Sequence, residues 1–188
     1  MQHWHIWIDT GGTFTDSIAI APNGAILRIK VLSNSTLRGI VTERTGPGQY
    51  RIEQQWHCPE DIFAGYRFRL LDAPEMSAGI QKITFSPTEP HKAVLWLDSD
   101  LTVSNAAGFE ITAGEEAPVL AARIATRTPL HLPLPSLYVR LGTTKGTNAL
   151  LERKGAPVTL FITKGLADLP AIGTQQRPHL FQLDIPPP

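Results

Sequence analysis

Cysteine is almost missing: Cys58 is the one cysteine among 188 residues. A disulfide framework is therefore excluded, and so is a cysteine-rich zinc site. Cys58 is followed by Pro59 and has no Cys-x-x-Cys partner, so it is read as structural rather than nucleophilic. Charge is scarce and balanced. Charged residues make up 18%, with 17 Lys+Arg against 17 Asp+Glu. No basic block is present, and no nucleic-acid partner is expected. No apolar run approaches the length needed to span a bilayer, so no membrane partner is expected either. Residues 1–5 (MQHWH) lack the basic start and long apolar stretch of a secretory signal. The six histidines show no metal-ligand spacing, and His3 and His5 share a strand face without a third ligand nearby. Neither a Gly-Lys-Ser/Thr phosphate loop nor a Gly-x-Ser-x-Gly elbow occurs. What is present is a 42% hydrophobic chain, enough for one full-sized domain or a domain with a small insert. A cytoplasmic protein is expected.

The organisation changes twice along the chain. Residues 3–9 (HWHIWID) alternate as a strand does, and Thr10-Gly11-Gly12-Thr13 is a turn. Residues 14–21 (FTDSIAIA) and 25–32 (AILRIKVL) read as two more strands, joined by the hairpin signal Pro22-Asn23-Gly24. The first 32 residues thus predict a three-stranded antiparallel meander. Residues 33–36 (SNST) are polar and 45–48 (TGPG) form a turn cluster. Short strand-like runs follow at 49–56, 66–73, 79–86, 92–99 and 108–112, most of them bounded by Gly, Pro, Asp or Ser. That spacing predicts a small antiparallel barrel or sandwich, placed at residues 33–107 as an inserted β-rich module. After Thr112 the pattern turns α/β. Glu115, Glu116 and Pro118 open a helix that continues through 119–126 (VLAARIAT). Residues 137–141 (LYVRL) are a strand, 146–154 a helix stopped by Gly155, and 157–163 (PVTLFIT) a buried strand parallel to LYVRL. A short helix is expected over 166–172, closed by Gly173. The chain ends in Ile185-Pro186-Pro187-Pro188, and is expected to be a fragment of something longer.

Three constellations carry chemistry. The first is Asp9-Thr10-Gly11-Gly12-Thr13-Phe14-Thr15-Asp16. A strand delivers a carboxylate to its end, two glycines allow unusual backbone geometry, and main-chain N–H groups can approach an anion. Thr13 and Thr15 add hydroxyls. A carboxylate beside a phosphate cradle suits a Mg²⁺-nucleotide, because Mg²⁺ prefers hard oxygen ligands and retains waters. The plain alternative is a glycine-rich β-turn with a solvated aspartate, and the length of the string favours the phosphate reading. The second constellation is Gly142-Thr143-Thr144-Lys145-Gly146-Thr147-Asn148-Ala149, between a strand and a helix. Thr143, Thr144, Thr147 and Asn148 could all bond an anion. An ordinary threonine helix cap explains the same residues equally well. The third is Ile172-Gly173-Thr174-Gln175-Gln176-Arg177-Pro178. Arg177 has the fork geometry for a carboxylate or phosphate, but without context it reads as a solvated loop arginine.

Taken in order, these strings resemble the N-terminal domain of the hydantoinase A/5-oxoprolinase family. The resemblance covers residues 4–32 and 108–185, and the long middle section resembles the fused oxoprolinase type. The domain is then expected to comprise 1–32 and 108–188. The resemblance implies an α/β fold (α+β overall): a ribonuclease-H-like half of an actin-like ATPase, interrupted by the β module. It implies ATP and Mg²⁺ as cofactors, with Asp9 as the catalytic and metal-contacting residue, through water. Gly11, Gly12 and Thr13 would cradle phosphate, and Thr15 and Asp16 would support the turn. Thr143, Thr144, Thr147 and Asn148 would line the same cleft, with Arg177 as a further cleft residue. Lys145 and Gly146 receive no role. The implied activity is ATP-driven opening of a cyclic amide, either 5-oxoproline or a hydantoin. Phosphorylation of the amide oxygen would make the ring carbon electrophilic before water attacks. The implied partners are the small substrate and either the rest of the same polypeptide or a hydantoinase B-type subunit, in a homo-oligomer. The adenosine pocket and second phosphate loop are expected beyond Pro188, so the 188-residue chain is expected to bind Mg·ATP weakly and to be inactive by itself. Two other functions fit the scaffold: ATP-coupled carboxylation of a small ketone, and a non-catalytic interaction domain.

Overall fold

The computed structural model describes residues 3–56 and 58–172. They divide into two compact units at the Glu152–Arg153 boundary.

The first unit opens with the expected meander. Strands β1 (Trp4–Thr10), β2 (Phe14–Ile20) and β3 (Ile26–Leu32) pair antiparallel in sequence order. The Pro22-Asn23-Gly24 turn forms as read, with Gly24 at φ +86° and the Ala21 N–H donating to the Ala25 carbonyl at 2.8 Å. A fourth strand, β10 (Leu137–Thr143), lies parallel to β1 on its other side. The sheet order is therefore β10-β1-β2-β3. Alternation sets its two faces. Ile6, Ile8, Thr15, Ser17 and Ala19 are buried, while Trp7, Asp9, Phe14, Asp16 and Ile18 are exposed.

Between β3 and the first helix stands a closed six-stranded antiparallel barrel. Its strands are β4 (Leu37–Gly46), β5 (Gln49–Gln54), β6 (Arg67–Leu70), β7 (Ser77–Phe85), β8 (Lys92–Leu97) and β9 (Ala107–Thr112). They close in the order β4-β5-β8-β7-β6-β9. The barrel spans 37–112, so its closing strand runs past residue 107, where the sequence reading ended the module. Strand β4 was not read from the sequence. Closure is tight at Gly39, where a Cβ would lie 2.6 Å from the Phe109 ring and 2.7 Å from the Glu53 carbonyl. The barrel's ends are neighbours, because Leu37 is the register partner of Ile111. Its interior is filled by side chains, among them Tyr50, Ile52, Phe68, Ile83, Leu95, Phe109 and Ile111.

One polar cluster ties the β4–β5 turn down. The Asp100 carboxylate accepts from Arg44 Nε at 3.0 Å and from the Gly48 N–H at 2.9 Å, and lies 3.1 Å from the Tyr50 hydroxyl. Arg44 and these donors hold its pKa down from 3.8 to about 2. The group is depressed in the folded state, so its stabilisation is present above pH ~4 and is lost as pH falls through about 2. An Asp100→Asn variant should therefore lose the part of the acid-unfolding slope that lies between about pH 4 and pH 2. Urea midpoints measured across that window check it, and an unchanged slope would refute the assignment.

Helix α1 (Ala117–Thr126) joins barrel and sheet. It starts at Ala117, so Glu115 lies outside it. Ala122 and Ala125 pack on Ile6, Ile8 and Ala19 of the sheet. Ala117, Leu120, Ala121 and Ile124 belong to the barrel's apolar cluster. A helix buried on two sides needs small residues so that both neighbours can approach, and its alanines meet that need. Arg123, 7% exposed, is neutralised in this interior by Glu115, at 2.6 and 2.7 Å. It also donates to the carbonyls of Pro129 and Leu132 at 2.9 and 3.1 Å, which anchors the proline-rich link.

Helix α2 (Lys145–Leu151) is two turns long, shorter than the expected 146–154. The largest correction falls in the second unit. Residues 157–163 take no strand, and Val158 and Phe161 are 88% and 92% exposed. A strand has no hydrogen bonds of its own and exists only within a ladder. With no strand over 157–163, the expected βαβ unit is absent from the described residues, and the parallel partner of β10 is β1. The short helix expected over 166–172 reduces to α3 (Leu169–Ile172). Among the described residues no helix is long and apolar enough to cross a membrane.

Candidate functional site

The parallel pairing of β1 with β10 sets Asp9 beside Gly142 and Thr10 beside Thr143. Both strands end at the same edge of the sheet, so their following loops meet there. The Thr144 N–H donates to the Thr10 carbonyl at 3.2 Å. A Cβ on Gly12 would lie 3.5 Å from Asn148 Nδ2, and one on Gly142 would lie 3.8 Å from Asp9 Oδ1. Two of the three sequence constellations are thus brought together. Arg177, from the third, lies outside the described residues.

The Asp9 side chain is exposed and bonds no other described residue. Its cross-strand neighbour is Asp16. Asp16 is already engaged, with Lys30 Nζ at 3.0 and 3.1 Å from its two oxygens. Lys30 also stands over the Phe14 ring, 4.6 Å from its centre. So Lys30 offsets one of two adjacent carboxylates and leaves Asp9 as the uncommitted one. An open groove of about 630 Å³ runs from these groups along the exposed sheet face, past Trp7, Arg28 and Arg140. Arg140 lies over Trp7, 5.0 Å from the ring centre.

The glycines act differently from the expectation. Neither Gly11 nor Gly12 has a positive φ. At Gly11 the missing side chain matters, since a Cβ would crowd the Phe14 carbonyl at 3.2 Å, whereas one at Gly12 would meet Asn148 Nδ2 at an ordinary contact distance of 3.5 Å. The N–H groups of Gly12 and Thr13 donate to no described atom, although both residues are exposed. Free main-chain donors beside an unpaired carboxylate fit a hydrated metal–phosphate group. Thr10 Oγ1, at the junction of the two loops, is buried without a partner and is a further unused donor. Thr15 is fully buried, and its hydroxyl lies 3.1 Å from Ser33 Oγ.

In the second loop the hydroxyls serve the loop itself. Thr143 Oγ1 accepts from the Lys145 N–H at 3.1 Å, and Thr144 Oγ1 accepts from Asn148 Nδ2 at 3.3 Å. Thr147 is exposed. With α2 so short, its dipole adds little, and the side chains carry what the loop can do. Ser33 and Lys30 were not singled out in the sequence, and Thr10 stood in the first constellation without a role. Lys30 had a signal, since it alternates onto the face of Asp16 in the adjacent strand. His3 and His5 pack against Tyr138, with ring centres 5.3 and 5.1 Å away. Among the described residues no group of three His, Cys, Asp or Glu side chains could hold a metal ion. Burial pushes the Cys58 thiol up to about 12, which leaves it un-ionised near neutral pH.

Sheet and barrel define a mixed α/β protein whose two threonine–glycine loops meet at one sheet edge. The profile of the hydantoinase/oxoprolinase N-terminal region matches residues 5–54 and 128–187. The chain belongs to that family. It is 58% identical over 50 residues to the 5-oxoprolinase of Dictyostelium discoideum, covering 27% of this chain and 4% of that protein. It is 53% identical over 51 residues to 5-oxoprolinase 1 of Arabidopsis thaliana, with coverages of 27% and 4%. The 5-oxoprolinase PfmaA of Pestalotiopsis fici is 42% identical over 77 residues, 41% of this chain and 5% of that protein. The chain therefore spans a small fraction of the relatives it matches. No solved structure matches it.

Proposed function

We propose that this chain supplies the nucleotide-phosphate-binding part of an ATP-dependent hydrolase that opens a cyclic amide, with 5-oxoproline as the first candidate substrate. The observation that carries this reading is the meeting of both threonine–glycine loops at one sheet edge, with Asp9 beside Gly142. Family membership supports the reaction class, and the relatives named 5-oxoprolinase support the substrate. We infer that the β10-β1-β2-β3 sheet is the ribonuclease-H-like half of an actin-like ATPase, on the strength of its three antiparallel strands and one parallel strand. A hydantoinase B-type subunit, or the same function on one polypeptide, would complete the site.

In this reading Asp9 holds the waters of Mg²⁺. The free N–H groups of Gly12 and Thr13 receive phosphate oxygens, and Asn148 closes the cradle from the second loop. Lys30 keeps the charge of Asp16 from adding to that of Asp9. When bound, ATP supplies the phosphoryl group that makes the amide carbon electrophilic and sets the equilibrium toward the open form. Preorganised donors at fixed positions are what such a transfer needs, because they cost no reorganisation as charge develops.

The test is phosphate release by the full-length natural protein with Mg·ATP, with and without 5-oxoproline. Release should depend on 5-oxoproline. ATP turnover that ignores 5-oxoproline but responds to a hydantoin would move the substrate and keep the reaction class. No nucleotide binding at all would end the reading.

A further inference from the structure

The phosphate turn is fastened from a residue outside its own sequence motif. Ser33 follows the last residue of β3, at the same sheet edge as Gly11–Thr13. Its backbone N–H donates to the Thr13 carbonyl at 2.9 Å. Its hydroxyl donates to the Gly11 carbonyl at 2.9 Å. The same hydroxyl lies 3.1 Å from the fully buried Thr15 Oγ1. Gly11 is also closed from within, by its N–H to the Phe14 carbonyl at 3.0 Å. The carbonyls on both sides of Gly12 are therefore pinned, while the N–H groups of Gly12 and Thr13 stay free.

We propose that Ser33 is the positioning residue of this turn: it fixes the two carbonyls flanking Gly12 so that the free N–H groups are held ready for nucleotide phosphate. The inference rests on the phosphate-binding reading of the turn. Ser33 itself touches no phosphate. It acts by keeping donors in place before the ligand arrives, so that binding does not have to order them. Ala at this position keeps the backbone bond to Thr13 but frees the Gly11 carbonyl. It also leaves Thr15 Oγ1 buried without its partner.

The experiment uses the full-length natural protein in wild-type, Ser33→Ala, Ser33→Thr and Asp9→Asn forms. The readouts are the calorimetric Kd for Mg·ADP, the KM for Mg·ATP, kcat and the thermal midpoint. Ser33→Ala should raise Kd and KM roughly tenfold, the scale expected for losing a turn's hydrogen bonds. Ser33→Thr keeps the hydroxyl and should restore both to within about twofold. A merely structural serine would lower the thermal midpoint and the active fraction and leave Kd and KM where they were. That result, with Asp9→Asn still losing nucleotide, would overturn the role of Ser33 and spare the phosphate reading. Wild-type nucleotide binding by Asp9→Asn would overturn the phosphate reading and this inference with it. Should Ser33→Ala fail to fold, Ser33→Cys, of similar size but a weak donor, carries the same outcomes.

Discussion

An Asp9→Asn variant of the full-length protein should lose phosphate release by a factor on the order of 10²–10³. Asparagine keeps the shape and removes the charge. Asp9 is the uncommitted carboxylate at the meeting of the two loops, since Asp16 is held by Lys30. A hydrated divalent cation needs that formal charge, which a neutral amide oxygen does not supply. The side chain is exposed and bonds no other described residue, so the folded state should barely notice the change. The decisive comparison is turnover against thermal midpoint in the same preparation. Wild-type turnover in Asp9→Asn would remove the residue from the site. A fall in both together would assign it to stability instead.

The second large effect concerns stability. Arg123→Met should cost about 3 kcal/mol, or a midpoint lower by roughly 6–12 °C. Arg123 is buried against α1's neighbours and satisfies four acceptors: both Glu115 oxygens and the carbonyls of Pro129 and Leu132. Methionine fills much of the volume but leaves a partly buried carboxylate without its counter-charge. Removing one member of such a pair is far more damaging than replacing both. The double variant Glu115→Leu with Arg123→Met should therefore recover part of the loss. Urea unfolding of the four combinations measures the coupling. A double variant whose cost is simply the sum of the two single costs would show the ion pair to be inert.

The meander was legible because its signals are local. Alternation over residues 4–32 and the Pro22-Asn23-Gly24 turn need no distant partner. Five barrel strands were legible for the same reason. Strand β4 was not. Its sequence, LRGIVTERTG, carries Gly39 near its start and polar residues toward the end. It is interrupted by two register shifts against β5. The need for Gly39 comes from Phe109, a residue far along the chain. Both threonine–glycine loops stood out as strings, but what unites them is the β1–β10 pairing, a non-local contact across the whole barrel insertion. Ser33 escaped notice for that reason too, because its partners belong to another turn. Residues 157–163 misled in the opposite direction. An apolar, β-branched run states a preference, and only a ladder turns that preference into a strand.

The barrel leaves and rejoins the chain through two strands that are already register partners, at Leu37 and Ile111. To the sheet it is a cassette plugged in at a single socket. Its removal or exchange leaves the host's two cut ends already side by side, with little closure entropy to find. What a replacement has to bring is a greasy patch for Leu120 and Ile124, which now lean on the barrel. Modularity here is thus conditioned by the side of one helix and by Val31 of β3, which shares the same apolar cluster.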